Sequence, residues 1–318
     1  MLRRHLAGLA LATLALPASA QGDKIARLVI GFPAGQATDV IARLLADGLK
    51  GELGETVIVD NKPGQGGSIA LGQVARAAPD GTTMILAPLA SLVINPHLYK
   101  NVAYNTFTSF APVARVCDLP LVLVVHPSLP VKTLPELIAY AKANPDKLSH
   151  PSAGNGTLSH VVMEDFKARA GIRILHVPYQ ASPPAMNDLV AGNVQVAMDT
   201  VTVTKPLIDS GKLRLIAAGT LQRLPAFPDT PTIAEQGFPG LEAVAWLGVL
   251  FPAQTADDRV KRLSDAVVKV VNDPAMQERF KAVGTLPRTM PTAEFAAYLK
   301  SEDQRWSKVI ASSGIRTD

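Results

Sequence analysis

Short apolar runs alternate with helical patterns along most of the chain. Most of the strand-like runs are continuously apolar rather than alternating, which is typical of strands covered on both faces by helices. They lie at residues 26–30, 56–59, 82–87, 121–125, 174–177, 194–198, 213–218 and 245–250. This succession of strands and helices predicts an α/β protein with mainly parallel sheets.

Helical patterns fill the intervals between these runs, and several begin at a good capping residue such as Thr133 or Asp273. They cover residues 39–53, 69–77, 133–143, 159–170, 181–191, 257–272, 274–283 and 292–310. The stretch 257–310 shows no strand pattern, so we expect it to pack onto a sheet built elsewhere.

A chain of 318 residues exceeds the size of one hydrophobic core, so two lobes are expected. The pattern predicts one lobe from residues 21–114 together with 237–318, and a second lobe from residues 115–236. The chain would then cross between the lobes twice, near residues 113–116 and 237–250. A double crossing is typical of a hinge that closes around a ligand.

The first 20 residues have the pattern of a secretory signal peptide. A basic start at Arg3 and Arg4 precedes a short apolar stretch, residues 6–16, and an Ala-Ser-Ala ending at Ala20. The apolar stretch is too short to span a membrane, which takes about 20 residues. We therefore expect cleavage after Ala20 and an exported protein.

Charge and cysteine content exclude several classes of protein. Removing the leader takes two arginines from 31 basic residues, which leaves 29 against 27 acidic ones and a net charge of +2. This balance, without a basic stretch interleaved with aromatic residues, excludes a nucleic-acid partner. The single Cys117 excludes an intrachain disulfide, and its apolar surroundings predict a buried hydrophobe rather than a catalytic thiol.

Two loops containing glycine and hydroxyl residues each follow an apolar strand and open a helix. They are residues 31–39 and residues 152–157, and neither contains Lys or Arg. A helix start presents unpaired N–H groups and the positive end of the helix dipole, which together suit an anion. If the two loops face each other, they predict a carboxylate held between two lobes.

Other motifs do not indicate enzymes. The first loop lacks the Gly-Lys-Ser/Thr of a phosphate loop, and the chain has no Gly-x-Ser-x-Gly nucleophile elbow. The loop 63–68 follows a strand, but its glycines do not fit Gly-x-Gly-x-x-Gly. A tight strand-to-helix turn is the favoured interpretation of that loop.

Individual polar residues leave alternatives open. The five histidines of the mature chain are not spaced as in zinc helices or fingers, so neither a metal nor a cofactor is predicted. His160 could orient the second loop or bind a ligand, and Asp39 could be a general base, although a helix cap is favoured. Tyr179 and Asp199 each follow a predicted strand, where strand ends meet a cleft.

Seven segments in register resemble the periplasmic solute-binding receptors of tripartite tricarboxylate transporters, the Bug-type family. They are residues 32–39, 59–67, 75–81, 94–100, 152–160, 176–179 and 228–232. The resemblance covers essentially the whole mature chain. It implies a type II periplasmic-binding-protein fold, a periplasmic location, a membrane permease as partner, a monomeric state and no catalytic residues.

In that family a ligand carboxylate is held by N–H groups and hydroxyls of the two loops. The resemblance places one wall of the site at Phe32, Ala34, Gly35, Thr38 and Asp39. The other wall comprises Ser152, Ala153, Gly154, Asn155, Gly156, Thr157 and His160. The far end would be shaped by Leu89, Ala90, Ser91, Tyr179 and Asp199.

The chain also departs from the family pattern. Gln36 stands where a second glycine is usual, Gln180 replaces a frequent lysine, and the loop 88–91 is more apolar than usual. These departures predict one firmly held carboxylate on a partly apolar body, as in an aromatic acid or a longer dicarboxylate. The alternatives are a secreted enzyme acting on an organic acid and a binding module that senses for a signalling partner.

Overall fold

The computed structural model describes residues 25–313, excluding the side chains of residues 312 and 313. The predicted signal peptide, residues 1–20, lies outside the described residues. No helix in the described range is both long enough and apolar enough to cross a bilayer.

Strands and helices alternate through the described chain. The strands are β1 (Ile25–Ile30), β2 (Thr56–Asn61), β3 (Thr83–Pro88), β4 (Phe110–Val125), β5 (Ser149–Ser152), β6 (Leu175–Pro178), β7 (Val196–Thr200), β8 (Arg214–Ala218), β9 (Val244–Pro252) and β10 (Leu286–Met290). The helices are α1 (Ala37–Leu53), α2 (Ser68–Val74), α3 (Asn95–Leu98), α4 (Leu134–Ala143), α5 (Leu158–Ala170), α6 (Ser182–Val190), α7 (Val201–Asp209), α8 (Asp257–Asn272), α9 (Pro274–Ala282) and α10 (Thr292–Ser313). The α/β class predicted from the apolar runs is confirmed.

The sheets are mixed rather than mainly parallel. In the first sheet the order is β2-β1-β3-β9-β4-β10, and only β1 with β2 and β1 with β3 pair in parallel. Strands β9 and β10 run antiparallel to their neighbours. In the second lobe β7 and β8 pair antiparallel with β4, while β5 and β6 form a parallel pair. The antiparallel pairs arise because the long strands β4 and β9 pass through the middle of the molecule in opposite directions.

Strand β4 is shared by both lobes. Its residues up to Pro120 pair with β9, and those from Leu121 onward pair with β7 and β8. Beside this change of partner, the N–H of Leu121 donates to the carbonyl of Ala243, just before β9. The chain therefore passes between the lobes in β4 and again near Ala243. The lobe boundaries at residues 114/115 and 236/237 remain a prediction.

The sequence pattern missed four elements, which are β5, β10, α3 and α7. The prediction that residues 257–310 contain no strand was wrong, because β10 pairs with β4 at the edge of the first sheet. Its sequence, which includes Pro287 and Arg288, is only half-buried and shows no apolar run. Helix α7 contains Pro206, which normally ends a helical pattern. Strand β5 is a run of four residues without an aliphatic side chain.

The structure confirms two predicted helix caps and the predicted burial of Cys117. Thr133 accepts a hydrogen bond from the N–H of Glu136, and Asp273 accepts one from Met276, so both cap their helices as predicted. Cys117 is fully buried in the main hydrophobic core, as expected from its apolar surroundings. That core fills the space between the first sheet and the helices α1, α8 and α10, and it extends into the second lobe as far as α4 and α5.

Candidate functional site

Four helices begin at one small cavity between the lobes. Helix α1 starts there from the first lobe, and α5, α6 and α7 start there from the second. The cavity measures about 60 Å³ and is lined by Phe32, Gln36, Ala37, Thr38, Pro88, Ala90, Leu119, Leu121, Ala153, Thr157, Leu158, Ser159, Ser182, Asp199, Thr200 and Ala245. Since one water needs roughly 10–15 Å³ by this kind of measure, the cavity accommodates a group of only a few atoms.

Two of these helix starts offer unused donors. Within residues 25–313, the backbone N–H groups of Ala37 and Thr38 in α1 have no acceptor. The same holds, over the same range, for the N–H groups of Leu158 and Ser159 in α5. The first N–H groups of a helix have no partner within the helix, and the helix dipole makes this end positive. The cavity wall is therefore suited to an anion.

Asp39 holds the first loop in place. Its carboxylate accepts hydrogen bonds of 3.0 Å from the N–H of Gly35, from Nε of Arg43 and from Nδ2 of Asn61. Burial raises the pKa of Asp39, but these hydrogen bonds outweigh it and the pKa lies below its usual value. A carboxylate of lowered pKa is a weak general base at neutral pH. Gln36 occupies the N-cap position, and Asp39 acts from the first turn instead.

The loop 63–68 lies directly against the first loop. A Cβ added to Gly31 would come within 2.4 Å of Cα of Gly67, so only glycine allows this approach of two backbones. The hydroxyl of Ser91 donates to the carbonyl of Gly66 at 2.6 Å. The interpretation of residues 63–68 as a tight turn that brings two segments of the first lobe together is confirmed.

Side chains of the second loop turn inward to fix its backbone. The hydroxyl of Thr157 donates to the carbonyl of Gly154 at 2.7 Å, and Ser152 accepts from the N–H of Gly154 at 3.2 Å. Nδ1 of His160 accepts from the N–H of Gly156 at 3.3 Å. Of the two roles left open for His160, the geometry favours that of orienting the loop.

Three imidazole rings stack behind this loop. The ring centroids of His160 and His176 are 4.1 Å apart, and those of His176 and His150 are 4.9 Å apart. Burial, with a smaller contribution from the neighbouring histidines, lowers the pKa of His160 to about 4 and that of His176 to about 3. The stack is therefore neutral at pH 7.

This stack makes stability depend on pH. A folded-state pKa below the unfolded value of about 6.5 means that the unfolded chain binds more protons below pH 6.5, so stability falls as the pH drops. Between pH 7 and pH 5 we expect a loss of about 2–4 kcal/mol in the free energy of unfolding, measured by urea denaturation. His176→Gln should reduce this loss, whereas His126→Gln, away from the stack, should not. Equal pH dependence in all three proteins would contradict the prediction.

The histidine stack also bears on metal binding. Donor atoms of His160, Glu164 and His176 lie within 4.8 Å of one another. However, Nζ of Lys167 contacts both carboxylate oxygens of Glu164, at 2.6 and 2.8 Å, and so takes the place of a cation. The four-residue spacing of His160 and Glu164 on one helix is the sequence signal that corresponds to this cluster. The prediction of no metal stays a prediction.

A wider pocket of about 540 Å³ opens outside the small cavity. Phe32 and Ala153 line both spaces. The outer pocket is lined by Gly31, Phe32, Pro33, Pro63, Gly64, Gln65, Gly66, Tyr99, Ala153, Gly154, Asn155, Pro178, Tyr179 and Gln180. The hydroxyl of Tyr99 donates to the carbonyl of Asn155 at 2.7 Å, which joins the two lobes at this pocket.

The structure separates the predicted site residues into three groups. The inner cavity is lined by Phe32, Thr38, Ala90, Ala153, Thr157 and Asp199. The outer pocket adds Gly154, Asn155 and Tyr179. The remaining ones, which line neither space, are Ala34, Gly35, Asp39, Leu89, Ser91, Ser152, Gly156 and His160. Among them Ala34 and Gly35 are exposed, whereas Leu89 is part of the core.

Several lining residues were not predicted as site residues. Ser182 and Thr200 come from the starts of α6 and α7, and Leu119, Leu121 and Ala245 come from β4 and β9, where the lobes meet. Gln36 was predicted only to depart from the family pattern, and not to line the site. The glycine and proline signals around residues 31–35 and 152–157 gave no information about these other segments.

The two lobes, the shared strand β4 and the helix starts between them define a periplasmic-binding-protein fold of type II. The family described as the tripartite tricarboxylate transporter family receptor matches residues 41–315, and the chain belongs to this family. The UPF0065 protein in the tcbD-tcbE intergenic region of Pseudomonas sp. strain P51 is 38% identical over 314 residues, which cover 97% of this chain and 93% of that protein.

Solved structures agree with this assignment. The periplasmic binding protein BugD superposes with a TM-score of 0.89 at 35% identity, over 93% of this chain and 100% of that one. The R. palustris protein Rpa4515 with adipate also has a TM-score of 0.89, at 32% identity, over 92% of this chain and 98% of that one. The type II fold expected from the resemblance is thus confirmed.

Proposed function

We propose that this protein is a periplasmic receptor that captures a small organic carboxylate between its lobes and delivers it to a membrane permease. The observation that carries the proposal is the set of four N–H groups at the starts of α1 and α5 that have no acceptor among residues 25–313 and that line one cavity. The structural neighbour with adipate supports a carboxylate ligand. We propose further that the receptor is a monomer, cleaved after Ala20, with the lobe boundaries predicted above.

The energetics of such a site suffice for useful affinity. A hydrogen bond to a charged group contributes roughly 1.5–3 kcal/mol, and a partly buried helix start adds up to about 2 kcal/mol. Micromolar binding needs about 8 kcal/mol. Four N–H donors on one carboxylate contribute roughly 6–12 kcal/mol before the loss of ligand freedom is subtracted, a range that includes the micromolar requirement.

The enzyme alternative has weaker support from the geometry. Asp39 is engaged by Gly35, Arg43 and Asn61, and its pKa is lowered, so it is poorly placed to accept a proton. His160 is turned toward its own loop, where it accepts from Gly156. The sensing alternative shares the same site and differs only in the membrane partner.

Calorimetry of refolded, ligand-stripped protein tests the proposal. We expect at least one acid from a panel of aliphatic, aromatic and dicarboxylic acids to bind with micromolar or tighter affinity, and the corresponding neutral amides to give no heat. Recovery of the bound acid unchanged after long incubation would support a receptor over an enzyme. The absence of heat from every acid in the panel would contradict the proposal.

A further inference from the structure

We infer that the site selects monocarboxylates with an apolar body and rejects dicarboxylates, because side chains of the protein occupy the two remaining helix starts. This inference rests on the proposed carboxylate receptor and concerns the specificity of the same site. Helices α1 and α5 are left to bind one carboxylate. At the start of α6 the N–H of Ser182 already has Gln36 as its acceptor, and the cavity-lining N-cap of α7, Thr200, already has Asp199.

Gln36 supplies the acceptor for α6. Its side-chain Oε1 accepts a hydrogen bond of 2.8 Å from the N–H of Ser182, the first residue of α6. Gln36 belongs to the first lobe and Ser182 to the second, so this bond spans the cleft. The Gln36 side chain is buried, with only 9% of the residue exposed. A second ligand carboxylate at the start of α6 would have to displace this amide.

Asp199 supplies an acceptor for the N-cap of α7, which is the residue at that helix start that lines the cavity. Its Oδ1 accepts from the N–H of Thr200, the N-cap of α7, at 2.7 Å, and its Oδ2 accepts from the hydroxyl of Ser182 at 2.6 Å. Asp199 is only 4% exposed and lines the cavity. Burial raises the pKa of Asp199, and the hydrogen bonds from Ser182 and Thr200 act against this rise. In each of these bonds the carboxylate is the acceptor, which suits its ionised form. A second carboxylate of a ligand would meet a like charge here.

The rest of the wall gives a second carboxylate no partner. The small cavity holds only a few atoms, so the body of a longer acid extends into the outer pocket, and within the described chain no Lys, Arg or His lines either space. Phe32, Pro88, Leu119, Leu121 and Ala245 present apolar surface instead. Burying a charged group without a partner is strongly unfavourable, whereas burying hydrocarbon is favourable. The chemical class that fits is therefore an aliphatic or aromatic acid with a single carboxylate.

Gln36→Gly tests the role of the side chain directly. The substitution removes the amide and leaves the N–H of Ser182 free to bind a ligand oxygen. Calorimetry would compare two pairs of acids, hexanoate with adipate and benzoate with terephthalate. We expect wild-type protein to bind the monocarboxylate of at least one pair at least tenfold more tightly. We expect Gln36→Gly to bind adipate at least tenfold more tightly than wild type does.

Two further variants complete the test, one as a control and one as a second test of the same site. Gln254→Gly is the matched control, because Gln254 is exposed in a turn and already has a positive φ of 68°, which suits glycine. It should leave both affinities unchanged. Asp199→Asn removes the charge and keeps an acceptor oxygen, so it should also improve adipate binding if Gln36→Gly does not fold.

The outcomes separate the inference from the proposed function. Equal or tighter binding of adipate and terephthalate by wild-type protein would overturn the inference and leave the receptor proposal intact. Unchanged discrimination in both folded variants, Gln36→Gly and Asp199→Asn, would also overturn it. Failure of all four acids to bind would overturn the inference, and failure of the whole panel would overturn the receptor proposal with it.

Discussion

Ala37→Pro should abolish carboxylate binding without weakening the fold. Ala37 is the first residue of α1, a position that favours proline, and its N–H has no acceptor in the described chain. Gln36 before it is extended, with φ −70° and ψ 152°, which suits the residue preceding a proline. The substitution deletes one donor and places a ring carbon where the ligand oxygen would lie.

We expect affinity for any bound acid to fall at least about 100-fold, since a hydrogen bond to a charge contributes roughly 1.5–3 kcal/mol and the ring adds steric exclusion. The free energy of unfolding should change by less than about 1 kcal/mol. Asp257→Pro is the matched control, because Asp257 is the exposed first residue of α8 and follows the similarly placed Ala256. Full affinity in folded Ala37→Pro protein would show that the start of α1 does not bind the ligand.

The second large effect concerns stability. Asp118→Ala should lower the free energy of unfolding by about 3–5 kcal/mol, because it leaves the buried Arg115 guanidinium without its partner. Asp118 also pairs with Arg288 of β10 at 3.4 Å, and Arg115 lies 4.7 Å over the ring of Tyr298 in α10. The pair therefore lies where β4, β10 and α10 meet.

Urea denaturation at pH 7 measures this effect, with Asp265→Ala as the matched control. Asp265 forms an exposed ion pair with Lys261 on α8, and such pairs contribute only about 0–1 kcal/mol. A loss of similar size in both variants would mean that burial of the Arg115–Asp118 pair does not determine its contribution.

Most of the fold was predictable because its central strands are apolar runs that can be recognised in the sequence. Strands covered on both faces are continuously apolar, and β3 and the second half of β4 are close to this pattern. Strand β10 lies at the edge of the sheet and contains polar residues, so it has no apolar run. Helix α7 contains Pro206, which interrupts the helical pattern in the sequence. Strand direction was mispredicted because apolar runs do not encode it.

The candidate site was predictable only in part, for a different reason. The site is formed mainly by backbone N–H groups at helix starts. The two glycine-containing loops in the sequence therefore indicated two of the four helix starts. Side-chain direction within those loops depends on local hydrogen bonds: Ser152 and His160 turn toward their own backbone, and Ser91 turns toward Gly66. The contact between Gln36 and Ser182 joins residues 146 positions apart, and a single sequence gives no sign of it.

The shared strand β4 has a consequence for protein engineering. Residues 110–120 complete the sheet of one lobe and residues 121–125 complete that of the other, within one uninterrupted strand. A gene fragment encoding either lobe alone would therefore leave an unpaired strand edge, which favours aggregation. Chimaeras that recombine lobes from two receptors should carry the whole of β4, together with β7, β8 and β9, from a single parent.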